Sequence, residues 1–123
     1  MTLRDVLELP ILRTARLLTD SKLETEREIG SVSVIEVPVG EFVRSGEFVM
    51  STGMNVGRKS RLLGRFIADV AHAGAGALAL ALGPYTPRVP KRIVAAAAEE
   101  RLPLIALPWK LRFSETRRRS CAA

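Results

Sequence analysis

Arg58-Lys59-Ser60-Arg61-Leu62-Leu63-Gly64-Arg65-Phe66-Ile67-Ala68-Asp69-Val70-Ala71-His72-Ala73 is followed, after Gly74-Ala75-Gly76, by Ala77-Leu78-Ala79-Leu80-Ala81-Leu82. In the first segment Leu62, Phe66 and Val70 lie four apart, and so do Leu63, Ile67 and Ala71. That spacing makes one apolar stripe and predicts a helix over 58–73 that packs through Leu62, Leu63, Phe66, Ile67 and Val70. Arg58, Lys59, Arg61, Arg65 and Asp69 fall mainly on its other faces. Gly74 stands where a left-handed residue closes the last helical turn. The second segment is apolar on both faces, the composition of a buried parallel strand. A helix running into such a strand is half of a β-α-β crossover.

Toward the carboxyl end the pattern repeats. Gly83-Pro84-Tyr85-Thr86-Pro87 reads as a loop. Pro90 suits the first turn of a helix running to about Arg101, with Ile93, Val94, Ala97 and Ala98 inward. Leu102-Pro103 breaks it, Leu104-Ile105-Ala106-Leu107 is a last short strand, and Pro108 ends that. Toward the amino end the signals are less regular. Glu47-Phe48-Val49-Met50-Ser51 reads as a strand with Thr52-Gly53 as its exit, Gly53 taking a positive φ in a tight turn. Ser31 to Pro38 is rich in β-branched residues, with Val32, Val34 and Glu36 on one face. Glu41 to Arg44 reads as a helical turn, Asp20 to Gly30 as a polar turn, and Ala15 to Leu18 as a short strand. Thr2 can cap a helix over Leu3 to Leu9, with Asp5 in its first turn and Pro10 as its stop. The reading is a single α/β domain, a mostly parallel sheet with packed helices, over residues 1–116. Residues 117–123 are expected to form a basic, disordered tail.

Composition narrows the function. The 123 residues suit one domain, and 47% hydrophobic with 26% charged residues excludes wholesale disorder. Aromatics are only 5%, so Leu, Val, Ile and Ala must fill the core. Cys121 is the one cysteine and His72 the one histidine. A disulfide, a zinc site and a Ser-His or Cys-His catalytic set therefore all lack members, and neither catalysis nor a cofactor is expected. His72, near a helix end, is expected to interact with the helix dipole. Charges interrupt the amino terminus, so it is no secretory signal. The longest apolar stretch, Ala73 to Leu82, is far short of the ~20 residues that span a bilayer, and a cytoplasmic protein without membrane contact is expected. The net charge is +6, of which Lys110, Arg112, Arg117, Arg118 and Arg119 against Glu115 supply +4, leaving +2 for residues 1–109.

Ligands of open α/β sheets settle outside the carboxyl ends of the parallel strands. Those ends carry Glu36, Ser51-Thr52-Gly53, Tyr85 and Trp109, which with Glu47 form the candidate binding set. Hydroxyls and carboxylates would orient a small polar metabolite, and the rings would stack on it. Structural roles compete at each position: a strand-ending turn at Ser51 to Gly53, a backbone cap or arginine pair at the glutamates, packing at the two rings. Gly53-Met54-Asn55-Val56-Gly57-Arg58-Lys59-Ser60 resembles a phosphate loop in position, but its glycines are separated by three residues instead of four and Arg58 stands between Gly57 and Lys59.

Several segments in order resemble the amino-terminal domain of the purine catabolism regulator (PucR) family. They are Thr2-Leu3-Arg4-Asp5-Val6-Leu7, Val34-Ile35-Glu36-Val37-Pro38, Ser45-Gly46-Glu47-Phe48-Val49-Met50-Ser51-Thr52-Gly53, Ala73-Gly74-Ala75-Gly76-Ala77-Leu78 with Gly83 and Tyr85, and Leu102-Pro103-Leu104-Ile105-Ala106-Leu107-Pro108-Trp109 with Phe113-Ser114-Glu115. The resemblance implies an effector-sensing domain of a bacterial transcription regulator, with a small-molecule effector related to purine catabolism. It leaves room for a homodimer. It implies that DNA is met only through a separate helix-turn-helix domain outside this sequence. Two other readings remain: a phosphate- or nucleotide-binding domain using the helix start at Gly53 to Ser60, and a small basic nucleic-acid binder using the terminal arginines.

Overall fold

The computed structural model describes residues 1–19, 24–34, 43 and 45–109. Their elements are α1 (Leu3–Leu7), β1 (Arg16–Leu17), β2 (Ser31–Val34), β3 (Glu47–Ser51), α2 (Ser60–His72), β4 (Ala77–Leu82), α3 (Lys91–Glu99) and β5 (Leu104–Pro108), with 3-10 turns at Pro10–Leu12 and Glu24–Glu26. The five strands form one sheet in the order β1-β5-β4-β3-β2. β2 through β5 are parallel, and only the two-residue β1 is antiparallel, at the β5 edge. The chain is thus an α/β domain with a mostly parallel sheet, and β3-α2-β4-α3-β5 supplies the two crossovers. The helical turn expected over 41–44, the strand end at 35–38 and the tail at 117–123 lie outside the described residues, apart from Val43.

The alternation of β4 shows how the sheet is filled. Leu78 and Leu80 pack with Val49 and Leu104 beneath Leu63, Phe66, Ile67, Val70, Ile93 and Ala97 of the two long helices. Ala77, Ala79 and Ala81 face the other side, where Leu3, Val6 and Leu12 of the amino-terminal segment cover the sheet. On that second face β3 presents Phe48 and Met50, opposite Ala77 and Ala79 in the parallel register. Large side chains thus sit beside small ones across adjacent strands, the alternation that lets a layer interdigitate. Every residue of β3 is buried.

Both long helices end in the same way. After α2, Gly74 has φ 90°, its N–H donates to the Ala71 carbonyl at 3.0 Å, and the Ala75 N–H donates to Val70 at 3.3 Å. After α3, Arg101 takes φ 56°, its N–H donates to Ala98 at 3.0 Å, and the Leu102 N–H donates to Ala97 at 3.0 Å. These are Schellman closures, which satisfy two otherwise orphaned carbonyls. At the other terminus of the chain, Thr2 and Asp5 form a capping box on α1.

Several boundaries differ from the sequence expectation. α1 stops at Leu7 instead of Leu9 because Pro10 opens a 3-10 turn whose approach already leaves the helix. α2 begins at Ser60 instead of Arg58, since residues 54–58 turn to carry the chain from β3 to the helix. Leu62 is 36% exposed although its spacing put it on the inward stripe. The stripe on Leu63, Phe66, Ile67 and Val70 already covers the helix-facing side of the sheet, and Leu62 lies at its solvent margin. Val34 is 42% exposed while Val32 is buried.

Candidate functional site

Three parallel strands deliver their carboxyl ends to one rim, and the contacts there link two loops. Ser51 is fully buried, and its hydroxyl accepts the Gly53 N–H at 3.0 Å, closing a turn on its own backbone. Gly53 has φ 73°, as the tight-turn reading requires. The next chain segment, from Gly53 to Lys59, lies against the β4–α3 loop. Thr86, fully buried in that loop, donates its hydroxyl to the Thr52 carbonyl at 2.8 Å. A Cβ at Gly53 or Gly57 would collide with the Thr86 hydroxyl, and one at Gly57 would also lie 2.5 Å from the Tyr85 carbonyl. The two glycines that gave the loop its phosphate-binding flavour therefore let the loops pack backbone to side chain. Arg58 adds a second link by donating from its guanidinium to the Pro84 carbonyl at 2.9 Å.

The aromatic part of the rim is also assembled. Trp109, just past β5, lies over Gly83, where a Cβ would stand 2.5 Å from the indole Cε3. Tyr85 meets Trp109 edge to face, with ring centroids 5.9 Å apart and an interplanar angle of 63°. Both rings remain partly open, at 38% and 44% exposure. Ser51, Thr52, Gly53, Tyr85 and Trp109 thus share one end of the sheet. Glu47 does not: it opens β3 at the opposite end, buried, and accepts the Ser31 hydroxyl at 3.0 Å. Strand direction separates it from the rim by the length of β3. Glu36 lies outside the described residues.

Next to the linked loops is an open cavity of about 270 Å³, lined by Gly57, Arg58, Ser60, Leu63, Pro87, Arg88 and Pro90. It lies where α2 and α3 begin. Neither helix has a side-chain cap or an acidic residue in its first turn. The segments that start them, Arg58-Lys59-Ser60-Arg61 and Arg88-Val89-Pro90-Lys91-Arg92, hold six cations and no acid. Sequence reading singled out Lys59 but missed Arg88 and Thr86. The basic run across Pro90 was the available signal for the first. Nothing local marks Thr86, whose burial comes from the neighbouring loop.

A larger cavity of about 420 Å³ lies at the opposite end, bordered by Arg27, Glu28, Ser45, Glu100 and Arg101 among others. Its charged groups are largely committed. Arg27 donates to the Gly76 and Arg101 carbonyls at 3.3 and 2.9 Å, Glu28 holds the amino-terminal ammonium at 3.3 Å, and Glu100 stands 3.1 Å from His72. His72 thus has a carboxylate partner beyond the end of α3, in addition to its place in the last turn of its own helix. Size favours this cavity, but its polar groups mostly hold the fold together, so the rim is the better candidate. Among the described residues there is no group of His, Cys, Asp and Glu that could hold a metal ion.

The model of the purine catabolism regulatory protein-like family matches residues 5–123. No curated protein matches the chain. Among solved structures, the fold is similar to the CBS and DRTGG domains of the regulatory region of a Clostridium perfringens pyrophosphatase, complexed with its activator diadenosine tetraphosphate. The TM-score is 0.55 at 15% identity, over 95% of this chain and 43% of that one. The chain thus spans less than half the length of that neighbour, and the likeness is one of fold.

Proposed function

The chain belongs to the purine catabolism regulatory protein-like family, and from that premise we propose that it is the effector-sensing domain of a transcription regulator, without catalytic activity of its own. The rim at the carboxyl ends of β3, β4 and β5 is the effector site. The observation that carries this reading is the open cavity beside two loops that are tied to each other by the Thr86–Thr52 and Arg58–Pro84 hydrogen bonds. A ligand there touches the β3–α2 and β4–α3 loops together, so its binding free energy bears on how the two loops sit. Effector binding would then bias a linked DNA-binding domain by favouring one of two states. The purine-related effector implied by the family and a cytoplasmic location are part of the proposal. Among the described residues no helix is long and apolar enough to cross a membrane.

Trp109 makes the test direct, because it is the single tryptophan and sits on the rim. Purine bases, their ring-opened breakdown products and small carboxylic acids should be titrated while indole emission and thermal melting are followed. At least one compound should give a saturable change in both. If no compound in the panel changes either signal, the effector-site reading fails.

A further inference from the structure

We infer that the rim cavity takes an anion, a phosphate or carboxylate group carried by a small metabolite, gripped between the starts of α2 and α3. This rests on the effector-site reading and adds the charge of the ligand. The first ground is where the charge sits. The body from residue 1 to 109 has a net charge of only +2, yet Arg58, Lys59, Arg61, Arg88, Lys91 and Arg92 crowd the two helix starts with no acid among them. Arg58 and Arg88 line the cavity itself. Arg88 is exposed and has no hydrogen-bond or ion-pair partner among the described residues.

The second ground is that this arrangement opposes folding. A helix start carries partial positive charge, so acidic residues are favoured there and cations are not. Both helices that flank the cavity break that rule on the same side of the molecule. Like charges also repel one another, and Arg58 and Arg88 line the same cavity. Local rules broken together at one place, with no acidic partner for these cations among the described residues, mark a functional site. An anion in the cavity relieves both penalties. Planar guanidinium groups match the paired oxygens of phosphate and carboxylate. Ser60 at the wall adds a hydroxyl donor. Nucleic acid also carries phosphate, but Arg58 and Arg88 line a concave space, which suits one small group better than an extended backbone.

The test is an amide-resolved NMR titration of the whole chain at constant ionic strength in chloride. The probes are inorganic phosphate, succinate, uncharged adenine and a short DNA duplex. Phosphate or succinate should give saturable shifts confined to Ser60–Leu62 and Lys91–Ile93, and which of the two binds tighter identifies the anion. Arg88→Gln should weaken the binding at least about tenfold, the loss expected for one charge-assisted hydrogen bond. Arg4→Gln, which removes a surface charge paired with Glu26 toward the opposite end of the sheet, should leave binding unchanged. Arg88→Gln should also raise the melting temperature of the ligand-free chain, because it removes repulsion. Non-saturating shifts spread over all surface cations would overturn the inference. So would tighter binding by the duplex than by the small anions, which would make the patch a nucleic-acid face. Saturable binding of adenine at the rim with no anion response would overturn the ligand charge and leave the effector site standing. Silence from every probe, together with a silent metabolite panel, would remove both.

Discussion

Gly53 shows how one residue can serve the turn and the site at once. Its φ of 73° disfavours any side chain, and its missing Cβ is the space that the Thr86 hydroxyl fills. Gly53→Val should therefore cost more than backbone strain alone, which is on the order of 1–3 kcal/mol. Thr86→Val should cost about 0.5–1.5 kcal/mol by removing the hydroxyl that donates to the partly buried Thr52 carbonyl. Urea denaturation of both variants checks this, and an unchanged midpoint in either would contradict the loop contact. Asp5 makes a pH-dependent contribution. The Thr2 N–H donates to its carboxylate at 2.9 Å, the Thr2 hydroxyl accepts the Asp5 N–H at 3.2 Å, and this hydrogen bonding with Thr2 holds the Asp5 pKa below the ordinary aspartate value. The sign follows from linkage: a depressed folded value stabilises above the unfolded pKa of ~3.9, and that contribution is lost as pH falls through the folded value. Asp5→Asn should flatten the stability profile in that acid window and leave its shape at neutral pH unchanged, as thermal melts across pH would show.

At the scale of elements, α2 carries the sharpest contrast. Leu62 and Leu63 are adjacent and chemically identical, yet Leu62 is 36% exposed and Leu63 is fully buried. Leu63→Ala should cost about 2–5 kcal/mol, the range for a buried leucine. Leu62→Ala should stay within roughly 1 kcal/mol, closer to surface substitutions. Equal losses would mean that the helix is rotated from the position described. The two Schellman closures make a second contrast. Gly74 occupies its left-handed position freely, whereas Arg101 holds φ 56° with a Cβ. A left-handed L-residue costs roughly 1–2 kcal/mol, offset in part by the greater unfolded-state freedom of glycine. Arg101→Gly should therefore raise stability by somewhat under ~1 kcal/mol, measurable as a higher denaturation midpoint. The Gly74 cap was legible because glycine is the usual residue there. The Arg101 cap was not, because arginine carries no such signal.

For the molecule as a whole, the two long helices are committed to the sheet. α2 and α3 are separated by β4 and bury Leu63, Phe66, Ile67, Val70, Ile93 and Ala97 against it. Base-specific readout needs an element that enters a groove and presents side chains to base edges. The rim cations can meet phosphates, but phosphate contacts position a protein without specifying a sequence. In a mobility-shift series at ~150 mM salt, near physiological ionic strength, the chain should not distinguish its native upstream duplex from a scrambled one. A clear preference for the native duplex would make the chain a DNA reader in its own right.

Periodicity and composition were enough to specify the α/β class, the two crossovers and the order β3-α2-β4-α3-β5, because buried strands and amphipathic helices write their burial into local spacing. The turn at Gly53 and the cap at Gly74 were legible for the same reason: a backbone requirement restricts the residue type. The grouping of Ser51, Thr52, Tyr85 and Trp109 followed from strand direction once the sheet was taken as parallel. Tertiary structure alone decided the rest. It turned Leu62 outward and buried Thr86 against Gly53 and Gly57. It also placed both long helices on one face, where the parallel strands run in sequence without a reversal of order, so the cavity forms between two consecutive loops and not at a switch point. Two basic segments separated by some thirty residues became one patch only when those helices started side by side. No local spacing encodes that meeting, because it depends on a crossover connection closing in space.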